Sequence, residues 1–137
     1  MTDLAVIENK ISAVKKYLKI MERYGGLSAL NLKNDIDQRG AAERYLYLVI
    51  QSTIDLAEAI VSFKNLRKPE TMSQNFEILS EQGMIDQNLK ENLVKMVGFR
   101  NIVAHDYEEM DYSIMVNVLK NGANDINNFL KIASEIV

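Results

Sequence analysis

One proline in 137 residues, Pro69, leaves this chain with almost nothing that stops a helix outright. Glycine is sparse as well, at six positions. Proline and glycine punctuate helices and build the turns of β architectures, so their scarcity favours long helices over a turn-rich sheet. The apolar residues agree. Leu4, Ile7, Ile11, Val14, Leu18 and Met21 recur at alternating spacings of three and four, the stripe of an amphipathic helix. Gly25-Gly26 is expected to end that helix in left-handed conformation, with one helical turn around Ala29–Lys33 beyond it.

A second, longer helix is predicted from about Gln38 to Leu66, capped by Asp35 or Asp37 and striped by Leu46, Val49, Ile50, Thr53, Leu56, Ala57 and Ile60. Asn65 to Pro69 breaks it. Thr71-Met72-Ser73-Gln74 has the form of a capping box for a short helix to about Glu81, with Gly83 past its end. Asp86 caps a fourth helix with Leu89, Leu93, Met96 and Val97 on its stripe. Asp111 caps the last, lined by Met115, Val118, Leu119, Ile126, Phe129, Ala133 and Ile136. No strand pattern or repeat competes. The reading is a single all-α domain over residues 1–137, an up-down bundle of four to five helices. The heptad-like stripe of the first helix fits a seam inside one subunit or between two.

Composition narrows the chemistry. Hydrophobic residues at 47% and charged residues at 26% are globular proportions, so the chain folds rather than staying disordered. Without cysteine there is no disulfide and no thiol catalysis. No apolar run approaches the roughly 20 residues of a membrane span, and Met1-Thr2-Asp3 does not open like a signal peptide; a cytoplasmic protein is expected. A net charge of −3 argues against a general nucleic-acid coat protein but leaves local phosphate sites open.

The chemistry-bearing segment is Arg100-Asn101-Ile102-Val103-Ala104-His105-Asp106-Tyr107, which holds the only histidine. One imidazole cannot build a structural zinc site of about four ligands, but it can move a proton near neutral pH. An arginine close by holds phosphate through charge-assisted hydrogen bonds. Asn101 and His105 are one helical turn apart, whereas Arg100 and His105 are offset by about 140° on a regular helix. Either Arg100 wraps round, or the helix loosens by His105, or two copies of the chain share one pocket. Blander readings stand beside this one. His105 can simply interact with the helix dipole, Arg100 can pair with Asp106 or Glu108, and Tyr107 can be a packed aromatic.

The string from Met96 to Tyr107, with Phe99-Arg100-Asn101 and then His105-x-Tyr107, resembles the Arg-x4-His-x-Tyr signature of the HepT family, within the all-helical HEPN superfamily of ribonucleases. The likeness runs upstream through Glu43-Arg44-Tyr45-Leu46, Thr53-Ile54-Asp55-Leu56, Pro69 to Leu79 and Gly83-Met84-Ile85, covering about residues 40–130. It implies that Arg100 and His105 are the catalytic pair, with Asn101 in support. It also implies that Tyr107 is the tyrosine to which a cognate MNT-type nucleotidyltransferase antitoxin adds AMP, as in type VII toxin–antitoxin systems. Such proteins are homodimers with the motif lining a cleft between protomers.

The implied reaction is RNA cleavage by the ribose 2′-hydroxyl, with no metal or cofactor and no action on DNA, which lacks that hydroxyl. The alternative is a helical interaction module without catalysis, to which the acidic run Glu108, Glu109 and Asp111 would be suited. A carboxylate-held cation at Asp106, Glu108, Glu109 and Asp111 is a third option that their spacing does not specify. Lys15, Lys16, Lys19 and Arg23, with Lys64, Arg67 and Lys68, can guide RNA but read first as a solvated face.

Overall fold

The computed structural model describes residues 3–105 and 111–137, with Ala104 and His105 contributing helical backbone only. Helix α1 (Leu4–Met21) starts at Asp3, whose carboxylate accepts the Val6 N–H at 3.0 Å. Its predicted stripe from Ile7 to Met21 is buried, whereas Leu4 at the free end is 40% exposed. The stripe packs on α3 (Ile36–Phe63) within the same chain, so the seam is an internal one.

The exit from α1 differs from expectation. Gly25 keeps a right-handed φ of −66°, because a 3-10 turn at Glu22–Tyr24 satisfies the last carbonyls without a left-handed cap. A side chain on Gly25 would instead meet the carbonyl oxygen of Leu119 at 3.8 Å, so the end of α1 runs beside the segment before α7.

Helix α2 (Ala29–Asn34) is the expected extra turn, secured by a reciprocal capping box in which Ser28 and Asn31 each accept the other's N–H at 3.0 Å. Asp35 then caps α3 through the N–H groups of Asp37 and Gln38. At 28 residues α3 is about 42 Å long and forms the central pillar. It is long and apolar enough to cross a membrane, contrary to the sequence expectation, but most of its apolar stretch is buried inside the bundle. A helix surrounded by partners must be apolar on most of its faces. Its buried hydroxyls, Ser52 and Thr53, donate back to the Val49 carbonyl and so carry no unmet polarity into the core.

Asn65 in left-handed conformation (φ 55°) ends α3, with Leu66 N–H donating to the Val61 carbonyl and Asn65 N–H to Ser62. Helix α4 (Gln74–Glu81) begins later than Thr71 predicts. Thr71 Oγ1 does accept the Gln74 N–H, yet the Gln74 side chain caps Glu70 rather than Thr71, so the box closes one residue further back. Gly83 (φ 72°) and the Asp86 cap lead into α5 (Gln87–His105).

The last predicted helix is two, α6 (Tyr112–Asn117) and α7 (Ala123–Ser134), joined by a π-helical turn at Val118–Gly122. There Gly122 passes so close to α5 that a Cβ would stand 3.3 Å from Met96 Cε. Asp111 caps α6 as expected, and the Ser113 hydroxyl and N–H that it accepts hold its carboxyl below the usual carboxylate range. The buried side chains form one contiguous cluster. At its centre Phe76 of α4 meets Phe129 of α7 edge to face, centroids 5.7 Å apart.

Candidate functional site

Arg100 lies on the face of α5 that meets α3, and its guanidinium is held from three sides. Nη2 donates to the Tyr47 hydroxyl at 3.1 Å and to Gln51 Oε1 at 2.7 Å, and Nη1 donates to Asn101 Oδ1 at 2.7 Å. The cation also sits 4.9 Å from the centroid of the Tyr47 ring. Gln51 is itself fixed, donating its amide to Asp55 at 2.9 Å. Tyr47, Gln51 and Asp55 follow each other at four-residue spacing, so α3 presents them as one polar stripe toward α5.

A guanidinium has five N–H donors. Three are used here, and Nε is buried with no partner among the described residues. Arg100 is therefore an immobilised positive charge with one further Nη1 donor to offer, rather than an open fork for two phosphate oxygens. Its bonded partners among the described residues are neutral groups, while Asp106 and Glu108 of the surface-pair reading lie outside the described residues. A cation held by neutral dipoles keeps its field for an incoming anion.

Helix α5 continues through His105, so the backbone does not loosen before the histidine. The guanidinium nevertheless reaches Asn101, the residue one turn before His105 on the same helical face. Of the three geometries open from the sequence, a loosened helix before His105 is not what the structure has. Whether Arg100 wraps toward His105 or two copies share a pocket turns on the His105 side chain, which lies outside the described residues. Because Asn101 Oδ1 is taken by Arg100, its amide N–H groups have no partner among the described residues. Asn101 also lines a groove of about 440 Å³ whose other walls are Glu58, Val97 and the loop from Pro69 to Ser73.

The His105 side chain and all of Asp106, Tyr107, Glu108 and Glu109 lie outside the described residues, and with them the proposed AMP acceptor and most of the candidate carboxylate cluster. Among the described residues no group of three or more histidines or carboxylates is placed to hold a metal. The sequence reading missed Tyr47 and Gln51 and assigned Asp55 no role. Their four-residue polar spacing along an otherwise apolar helix was the available signal.

An all-α bundle with an arginine clamped against its longest helix and a histidine closing the same α5 has the architecture of a HEPN-type protein. The family model for ribonuclease HepT-like proteins matches residues 14–133, and the chain belongs to that family. It is 33% identical over 128 residues to the mRNA nuclease HepT of Shewanella oneidensis, covering 93% of this chain and 95% of the relative. It is 24% identical over 106 residues to the tRNA nuclease HepT of Aphanizomenon flos-aquae, covering 77% and 72%. Its fold matches a solved tri-AMPylated HEPN toxin from Shewanella oneidensis in complex with MNT antitoxin. That match has a TM-score of 0.86 at 30% identity and covers 98% of this chain and 99% of that one.

Proposed function

We propose that this chain is the toxin of a toxin–antitoxin pair, an endoribonuclease that cuts RNA by metal-independent attack of the ribose 2′-hydroxyl. The observation that carries the reading is the clamped Arg100, five residues before His105 on α5, in a chain 33% identical to a named mRNA nuclease.

In the proposed reaction, His105 takes the 2′-hydroxyl proton as the 2′-oxygen bonds to phosphorus. The P–O5′ bond breaks, and the leaving 5′-oxygen receives a proton, giving a 2′,3′-cyclic phosphate and a 5′-hydroxyl. General acid–base help of this kind contributes about 10²–10⁴-fold. Arg100 and the free amide N–H groups of Asn101 face the charge building on the non-bridging oxygens.

A single imidazole cannot be base and acid at the same moment, so a homodimer that offers a second His105 fits the proton bookkeeping. Exposed apolar surface at this end of the molecule supports it: Ile102 is 43% exposed and Ile114 is 49% exposed. Tyr107 is the proposed AMP acceptor for a nucleotidyltransferase antitoxin, because an added phosphate two residues from His105 would compete for the Arg100 charge.

The test is end-labelled RNA incubated with purified protein in EDTA. Cleavage by the wild type, its loss in His105→Ala, and survival of a substrate with 2′-deoxyribose at the cut site are expected. Cleavage of the 2′-deoxy substrate at an undiminished rate would refute the mechanism, and no cleavage by the wild type would favour a non-catalytic helical module.

A further inference from the structure

A second groove lies away from the Arg100 clamp. It runs between α1 and α7, has a volume of about 890 Å³, and contains none of the residues that hold Arg100. Lys15 and Lys19 come from α1, and Lys131 comes from α7 with Asn124, Asn127 and Asn128. All six side chains are exposed. Among the described residues the ion pairs are Arg39–Glu43 and Arg67–Glu81, so none of these lysines is neutralised. Leu18 and Leu130, both buried, form the floor.

We infer that this groove is a docking channel for the backbone of single-stranded RNA, distinct from the site of cleavage. The inference rests on the proposed ribonuclease function. In a chain of net charge −3, three unpaired ammonium groups converge on one concavity. Like charges at four-residue spacing, as at Lys15 and Lys19, repel each other on a helix. A polyanion lying between them relieves that repulsion.

The asparagines decide the kind of polyanion. Each carries amide donors and a carbonyl acceptor and no charge, which suits ribose hydroxyls and base edges between phosphates. An acidic protein face fits less well, because protein interfaces are depleted in lysine, and this groove is lined by three lysines and three amides. Glu22 and Glu135 also line the groove, and they would repel a strand wherever the lysines do not hold it. Among the described residues no aromatic side chain lines it, so docking would follow the backbone rather than a base sequence.

The experiment measures single-stranded RNA affinity as a function of salt in a His105→Ala background, which removes cleavage. It compares that protein with one that also carries Lys15→Gln, Lys19→Gln and Lys131→Gln. These positions are exposed, and a circular dichroism melt checks the fold. Three lost phosphate contacts predict a fall in affinity of about 10- to 100-fold and a salt slope shallower by about 2. In the His105 background the triple variant keeps wild-type cleavage of a two- or three-nucleotide substrate. Equal RNA affinity in both proteins overturns the channel while leaving the nuclease reading intact. So does a triple variant that loses only its binding to a nucleotidyltransferase antitoxin. A wild type that binds and cuts no RNA defeats both readings together, and one that binds through these lysines without cutting defeats the nuclease reading alone.

Discussion

Arg100 Nη2 donates to Gln51 Oε1 at 2.7 Å, across 49 positions of sequence, and the Gln51 amide is pinned in turn by Asp55. The guanidinium is thus aimed by α3 rather than by its own helix. Nothing in the Arg-x4-His pattern encodes that.

The clamp predicts unequal tolerance. Arg100→Lys should lower the RNA cleavage rate by at least about 100-fold, because one ammonium cannot satisfy three separated acceptors and also offer charge to the phosphate. Gln51→Ala should cost about tenfold in kcat, the equivalent of one hydrogen bond to a charged group, with KM little changed. Single-turnover kinetics check both; a Gln51→Ala enzyme at full kcat would show that α3 does not position Arg100.

Tyr107→Phe should cut RNA at the wild-type rate and escape modification. Mass spectrometry after incubation with ATP and the nucleotidyltransferase should find AMP on the wild type and none at position 107 of the variant. If the variant were still silenced catalytically, the acceptor would lie elsewhere.

Glu43 sits on α3 at only 8% exposure, and burial pushes its carboxyl above the ordinary range against the opposing pull of Arg39, 4.0 Å away. A carboxyl raised in the folded state is ionised at a cost above its folded value, and that cost fades as pH falls from the folded value to below the unfolded one. Glu43→Gln should therefore raise Tm by a few degrees at pH 7, and the gain should vanish under acidic conditions. A Tm difference that stays constant with pH would mean that packing, not charge, sets the effect.

Phe129→Ala should destabilise the fold by about 3–5 kcal/mol, since the ring is fully buried and its edge-to-face partner Phe76 cannot collapse into the space left. Urea denaturation measures this directly. A loss below about 1 kcal/mol would imply that α4 and α7 repack.

Helix positions were legible wherever burial is one-sided. The α1 stripe, the Asp35, Asp86 and Asp111 caps and the break at Asn65 all follow from local period and capping chemistry. Legibility failed where a neighbour intervenes. Gly25 keeps ordinary φ because a 3-10 turn does the capping, and the last helix is divided by a π turn where Gly122 abuts Met96. The apolar length of α3, which the sequence reading did not count as a possible span, is explained by the partners packed around it.

Period, punctuation and one short motif are local properties of a chain, and from them alone came the all-α class, the helix register and the pairing of Arg100 with His105 as the place to look. Which groups hold Arg100, how many of its donors those groups use, and which lysines share a groove with which asparagines belong to the tertiary structure. Those are contacts between helices far apart in sequence. Their partners are chosen by how whole helices pack, and no three- or four-residue spacing records that choice.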